Sequence, residues 1–285
     1  MDPVTSPDAP SATLTFSGLP AEILPDGFSA TGWALRIGGI EQSHVDLADP
    51  RTVRHEYLRR VANVLDTAAA PGEPLSVLHL GGGALTLVRY VQATRPGSEQ
   101  TVVEIEPELI DLVTGALPLP EGTRMRALIG DAEEQLALLA EADARFDAIV
   151  LDVFNGSDSP PHLARERFYA RCLERLTERG ILLVNIGDDD GLRFFADQVR
   201  EVRGAAAQAR MAGPWTLTDS VVAGILEEGN LVLALGPGVE AGDLDSRREA
   251  WLEAGPHPVA VLDPAQTEVL LRRIPEDDLE ADEES

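Results

Sequence analysis

From Leu75 onward, short β-like runs alternate with amphipathic helical stretches, and that alternation restricts the chain to a layered α/β fold. The β runs are Ser76–Leu80, Thr101–Ile105, Arg124–Ile129, Phe146–Val153 and Ile181–Ile186. Helical segments lie between them at Ala84–Ala93, Pro107–Thr114, Ala132–Ala142 and Arg165–Thr177, and another, Gly191–Arg203, follows the fifth run. A β run followed by a crossover helix implies a mainly parallel sheet with helices on both faces. Later strands near Ala207–Ala212 and Asn230–Leu235 are expected to complete one edge, parallel or antiparallel.

The region before Leu75 has a different texture. From Thr13 to Leu47 short apolar stretches, such as Ala34–Ile37, alternate with Gly and Pro, which reads as a small antiparallel β unit. Arg51–Asp66 carries Val53, Tyr57, Leu58, Val61 and Leu65 at helical spacing and should be a helix leading into the larger part. The expected divisions are a loose tail at 1–11, the β unit at 12–50, the α/β part at 51–274 and an acidic tail at 275–285.

Charge narrows the function classes. The chain holds 49 acidic residues against 23 bases, a net charge of −26, and every base is arginine. The lack of lysine excludes a Schiff-base lysine and a phosphate-loop lysine. So acidic a chain should repel nucleic acid and anionic membrane surfaces and attract cations, polyamines included. A single cysteine, Cys172, excludes an internal disulfide and a multi-cysteine metal site. It sits at helical spacing from Phe168 and Leu176, which suits a packed core thiol. His44 and His79 show no metal-ligand spacing, so no metal is expected. With no apolar run near the ~20 residues of a membrane helix and no visible secretion signal, the expected compartment is the cytoplasm.

The first β run of the α/β part ends directly in Gly81, Gly82 and Gly83, ahead of a helix. Glycines there let the backbone turn sharply and approach a ligand. The next run ends in Glu104, about twenty residues on, where an acid can accept from both hydroxyls of a ribose. Asp131 follows the third run and can cap the next helix, accept from an adenine amino group, or do both. Three such features at successive strand ends form the layout of an adenosine-sulfonium site.

With these residues in view, the sequence resembles the spermidine synthase (polyamine aminopropyltransferase) family from about Gly38 to Leu235. GGGALTLVRY is similar to the family's GGGDGG followed by an arginine, with Arg89 in register. VVEIEPELI resembles its VEID-P segment, and GDAEEQ its GDA segment. FDAIVLDVFNGSDSPPHLARERFY matches its catalytic loop in length, RHEYL the end of its Tyr-His-Glu helix, and GGIEQS its Gly-x-x-Gln-Ser hairpin. The resemblance implies a class I methyltransferase-type, Rossmann-like sheet of seven strands behind the β unit, and a homodimer. It implies decarboxylated S-adenosylmethionine as co-substrate, with no permanently bound cofactor, and transfer of its aminopropyl group to an amine. By resemblance Asp152 is the carboxylate that helps deprotonate the amine, Gln42 joins the nucleotide site, and His55, Asn155 and Asp158 face the acceptor.

Several positions depart from the family pattern. Ala84 stands where GGGDGG has its Asp, and Leu85 and Thr86 replace the following glycines. Arg54 occupies the place of a substrate-side Tyr, and Asn155 replaces the second Asp of Asp-x-x-Asp. Asn155 still makes hydrogen bonds but cannot neutralise an ammonium group. Arg54 beside a dication needs a neighbouring acid such as Glu41 or Glu56. His162, between prolines and a helix, is a candidate to line a gate or simply a rigid loop. Two further classes therefore stand beside aminopropyl transfer: a methyltransferase using intact S-adenosylmethionine, and a non-catalytic nucleotide-binding homologue.

Overall fold

A computed structural model describes residues 9–153 in full, the backbone of 154 and 155, and residues 159–275. The chain opens with four antiparallel strands, β1 (Ser11–Thr13), β2 (Pro20–Pro25), β3 (Gly32–Ile37) and β4 (Ile40–Asp46), hydrogen-bonded in that order. This is the expected β unit, and it starts within the stretch expected to be loose, because Ser11 already pairs with Glu22. Helix α1 (Glu56–Asp66) leads into β5 (Ser76–Leu80), α2 (Thr86–Thr94), β6 (Glu99–Glu104), α3 (Pro107–Ala116), β7 (Arg124–Ile129) and α4 (Ala132–Glu141). Then follow β8 (Phe146–Asn155), α5 (Glu166–Glu174), β9 (Leu176–Asp188), α6 (Arg193–Gln208), β10 (Trp215–Thr218), α7 (Ser220–Ile225) and β11 (Gly229–Leu235). Helices α8 (Pro237–Glu240) and α9 (Leu244–Ala254), strand β12 (Ala260–Leu262) and α10 (Pro264–Leu271) close the described chain.

The large sheet runs β12-β10-β11-β9-β8-β5-β6-β7. Strands β5 to β9 pair in parallel, and β10, β11 and β12 extend the β9 edge antiparallel. The sheet thus has eight strands rather than the expected seven. The segment Ala207–Ala212 is not a strand: α6 runs on through Ala205, Ala206 and Ala207 to Gln208, because alanine favours a helix over an edge strand, and 209–212 is turn and loop. The strand itself forms seven residues further on, at the wholly buried Trp215–Thr218. Helix α1 begins at Glu56, so its expected first turn, Arg51–His55, is loop.

Alternation along the strands divides the core. Leu78 and Leu80 of β5 pack with Leu136, Phe168 and Phe195 from α4, α5 and α6 on one face. Val77 packs on the other face with Val61, Val91 and Trp251 from α1, α2 and α9. A third cluster joins Ile23 and Leu35 of the N-terminal sheet to Val88, Leu109 and Val113 of α2 and α3. The small sheet is therefore seated over the carboxyl-end side of the large one. Thr86 Oγ1 donates to the His44 carbonyl at 2.9 Å, and the Glu106 carboxylate accepts from the backbone of Phe16 and Ser17 at 2.8 and 2.7 Å.

Cys172 is buried among apolar neighbours, which pushes its thiol well above the ordinary range, so it is the inert core residue expected. Among the described residues no helix is long and apolar enough to cross a membrane, and no cluster of three or more His, Cys, Asp or Glu is arranged for a metal.

Candidate active site

Strand order reverses at β5, whose neighbours β6 and β8 lead away in opposite directions, and a crevice opens there at the carboxyl ends of parallel strands. A cleft of about 820 Å³ lies at this point, roofed by β4 and the β1–β2 turn. The glycine loop forms its floor. Gly81 has φ +99°, and a Cβ there would stand 2.5 Å from the Asp152 carbonyl oxygen. Gly83, at φ +50°, would press a Cβ to 2.5 Å from Ser43 Oγ. Only glycine lets this loop pass so close to both β8 and the roof.

Glu104, at the end of β6, is 7% exposed and is gripped by the loop it serves. One carboxylate oxygen accepts from Gly82 N at 2.9 Å and the other from Glu106 N at 3.0 Å. Burial pushes its carboxyl above the usual range, and the backbone bonds oppose that shift. Each oxygen keeps a second lone pair, and both Glu104 and the glycines line the cleft. Gln42 lines it too, for a local reason. Leu35 pairs with Ser43 and Arg36 with Glu41, so Gln42 is the extra residue of a β-bulge.

Across the loop, Asp152 of β8 faces the same space. Asn185 Nδ2 of β9 donates to its Oδ1 at 2.9 Å, and Tyr57 of α1 lines the same cleft. Burial still raises the Asp152 carboxyl above its ordinary value, with the Asn185 hydrogen bond pulling the other way. His55 stands at the N-terminus of α1 with Nε2 3.9 Å from a Glu41 oxygen, and burial lowers its pKa, so the ring favours the neutral form. Its edge meets the Tyr57 ring at 5.9 Å between centroids. Neither Tyr57 nor Asn185 stands out in the sequence, because each falls on an apolar periodic pattern that reads as core.

Gln42, His55, Gly81, Gly82, Gly83, Glu104 and Asp152 thus share one cleft. Asp131 does not line it. Its Oδ1 caps α4 through Glu133 N (2.9 Å) and Glu134 N (3.3 Å), and its Oδ2 meets His162 Nε2 at 2.7 Å. The Asn155 side chain and Asp158 lie outside the described residues.

Two departures from the family pattern acquire a physical explanation. Arg54 does not line the cleft: its guanidinium meets Asp26 at 3.2 Å and lies over the Phe28 ring at 4.2 Å. The partner acid is thus Asp26, neither Glu41 nor Glu56, and Glu56 is instead paired with Arg60. Ala84 is buried in the cluster beneath the small sheet, so its side chain does not face the cleft. Arg89 also stays out of it, donating from within the core to the carbonyls of Leu117 (2.5 Å) and Pro118 (2.7 Å).

The cleft is strongly acidic. Glu41, Glu104, Glu106, Asp152, Asp188, Asp189 and Glu228 line it, and among the described residues no arginine does. Asp188 is half-buried at the end of β9, which raises its carboxyl, and accepts from Phe195 N at 2.7 Å. Low-dielectric walls carrying one sign of charge focus the field into the space between them. The space suits a cation.

No protein-family model matches the chain. Over 156 residues it is 28% identical to the polyamine aminopropyltransferase of Neisseria meningitidis serogroup A, covering 54% of this chain and 57% of that protein. Over 120 residues it is 30% identical to the eEF1A lysine and N-terminal methyltransferase of Bos taurus, covering 39% of this chain and 17% of that protein. The match therefore spans little more than half the length of the curated aminopropyltransferase. The crystal structure of a probable spermidine synthase from Corynebacterium glutamicum superposes with a TM-score of 0.77 at 24% identity, covering 97% of this chain and all of that one. Over about half its length the chain is similar in sequence to polyamine aminopropyltransferases, and over nearly all of it the fold is that of a probable spermidine synthase.

Proposed function

We propose that this protein is a transferase that binds decarboxylated S-adenosylmethionine in the cleft and moves its aminopropyl group to an amine. One observation carries the choice: seven carboxylates line the space and no arginine among the described residues does. The decarboxylated donor brings a sulfonium and an ammonium group and no anion, so these walls attract it. Intact S-adenosylmethionine also brings a carboxylate, and a like charge about 10 Å from one wall acid costs about 1.7 kcal/mol at an effective dielectric of about 20. The methyltransferase relative supports the nucleotide half of the reading, and the charge of the cleft disfavours methyl transfer.

In the proposed reaction the acceptor nitrogen attacks the carbon beside sulfur. The carbon–sulfur bond breaks, its electron pair goes to sulfur, and neutral methylthioadenosine leaves. The acceptor must shed a proton to present its lone pair, and Asp152 is the carboxylate assigned to receive it. Glu104 takes the ribose hydroxyls, and Gln42 and the glycines 81–83 close on the nucleoside. Asp131, which lies beyond the cleft lining and is paired with His162, is assigned to the adenine amino group. His55, Asn155 and Asp158 are assigned to the acceptor side. Holding the amine in line with the sulfonium supplies the rest of the rate. A homodimer is carried over from the resemblance, and the exposed Phe16 in the β1–β2 turn is an apolar group available to such an interface; the composition supports a cytoplasmic location.

The test is incubation with each sulfonium donor and a panel of amines, followed by mass spectrometry of the nucleoside product. Methylthioadenosine is the expected product. S-adenosylhomocysteine would establish methyl transfer instead, and neither product above background would leave a binding protein.

A further inference from the structure

We infer that Glu106 is a positioning residue for the nucleoside: its carboxylate seats the β1–β2 turn beside Glu104, and Leu14 and Ser17 of that turn wall the ribose end of the cleft. This rests on the nucleoside half of the function proposed above. Glu106 occupies the N-cap position of α3, where a carboxylate ordinarily accepts from the first N–H groups of its own helix. It makes no such cap. Its oxygens accept from the turn instead, Oε2 from Phe16 N at 2.8 Å and Oε1 from Ser17 N at 2.7 Å. Glu108, in the first turn of α3, holds the neighbouring Thr15 through its backbone N–H and its hydroxyl. The start of α3 thus directs two acids at a segment that lies far from it in sequence.

The turn is closed on itself, with Leu14 N donating to the Leu19 carbonyl at 2.9 Å and Gly18 N to the Leu14 carbonyl at 3.0 Å. It therefore docks as a unit. Leu14 is buried in the cluster that holds Ala84 and Ile110, whereas Phe16 is exposed. Glu106 is buried, so the turn's bonds to it are shielded from water. From the same residue, Glu106 N donates to one Glu104 oxygen at 3.0 Å, and the other Glu104 oxygen accepts from Gly82 N at 2.9 Å. A connected run of hydrogen bonds thus joins the roof turn to the glycine floor through Glu104, the acid assigned to the ribose. Leu14, Ser17, Gly82, Glu104 and Glu106 all line the cleft. A nucleoside seated on Glu104 lies against the turn, and loosening the turn opens that wall to water.

The test is Glu106→Gln, which keeps the shape of the side chain and the backbone N–H that serves Glu104. Glutamine accepts one turn N–H through its carbonyl and points its NH2 at the other. Affinity for methylthioadenosine, read by calorimetry, should weaken about tenfold. Amide exchange at Phe16 and Ser17, read by NMR, should quicken by a similar factor. A second signature separates this role from a general loss of packing. Burial raises the Glu104 carboxyl and the like charge of Glu106 adds to that shift, so the pH below which the nucleoside is released should fall in the variant even though binding is weaker. If Glu106→Gln does not fold, the parent decides: methylthioadenosine should slow exchange at Phe16 and Ser17 about fivefold or more. Parental affinity in a folded Glu106→Gln, a parental pH midpoint, or exchange at Phe16 and Ser17 that ignores the nucleoside overturns the inference. So does a parent that binds no methylthioadenosine. A parent that binds it but transfers no aminopropyl group ends the transfer reading alone, and the affinities and exchange rates still decide the role of Glu106.

Discussion

Replacing Glu104 by glutamine removes a charge and one acceptor while keeping shape, and the structure sets what that should cost. Both carboxylate oxygens are engaged, one by Gly82 N at 2.9 Å and the other by Glu106 N at 3.0 Å. Glutamine can satisfy only one of these donors through its carbonyl, and its amide NH2 then faces the other. A buried donor left without a partner costs about 1–3 kcal/mol of stability. Loss of a charge-assisted bond to a ribose hydroxyl costs a further 1.5–3 kcal/mol or so in binding, or about 10- to 150-fold in affinity. Burial raises the Glu104 carboxyl, and ribose donors favour its ionised form. Parental affinity should therefore weaken as pH falls through a value above the ordinary range of glutamate, while the glutamine variant stays flat. Calorimetric titration with methylthioadenosine across pH, alongside thermal unfolding, reads both effects. Equal affinity in a folded variant, or the same pH dependence in both proteins, would refute the assignment.

Three further outcomes are expected. Asp152→Asn should lower turnover about 10²- to 10⁴-fold with nucleoside affinity within a few-fold, and the parental acid limb should lie above the ordinary aspartate range because burial raises that carboxyl; steady-state kinetics with parental turnover in the variant would contradict this. Gly81→Ala forces a Cβ to 2.5 Å from the Asp152 carbonyl oxygen at φ +99°, so urea unfolding should show a loss of about 2–4 kcal/mol, and a loss below about 0.5 kcal/mol would mean the loop relaxes freely. Arg54→Ala should leave amine KM within about twofold and cost no more than about 1 kcal/mol, because the side chain is paired on a partly exposed surface; a tenfold gain in diamine use would place its charge in the cleft.

Much of the fold was legible because long alternations leave periodic traces. Ser76–Leu80 and Arg124–Ile129 form strands with the bounds the pattern suggests, and α3 starts at its proline as expected. The errors have local causes. Val53 packs against the α1 cluster from a loop, so it imitates one more helical turn. The alanine-rich end of α6 looks apolar enough for a strand, yet intrinsic propensity keeps it helical. Strand β12 has three residues, too few for a period to register.

The site divides the same way. That Gly81–Gly83 and Glu104 would meet at one place was readable because strand ends gather at a sheet's switch point, whereas Asp152 was singled out by the family resemblance. Asn185 was not readable, since its hydrogen bond to Asp152 joins residues 33 positions apart. The pairing of His162 with Asp131 across 31 positions, and that of Arg54 with Asp26 across 28, likewise arise only from the tertiary fold.

The most direct measurement is the affinity of the protein for decarboxylated and for intact S-adenosylmethionine, determined by calorimetry under one set of conditions at low and physiological salt. A cleft lined by seven carboxylates should prefer the decarboxylated donor by about tenfold or more, with the preference shrinking as salt screens the walls. Equal affinities, or tighter binding of the intact donor, would contradict the proposal that the charge of this cleft selects an aminopropyl donor.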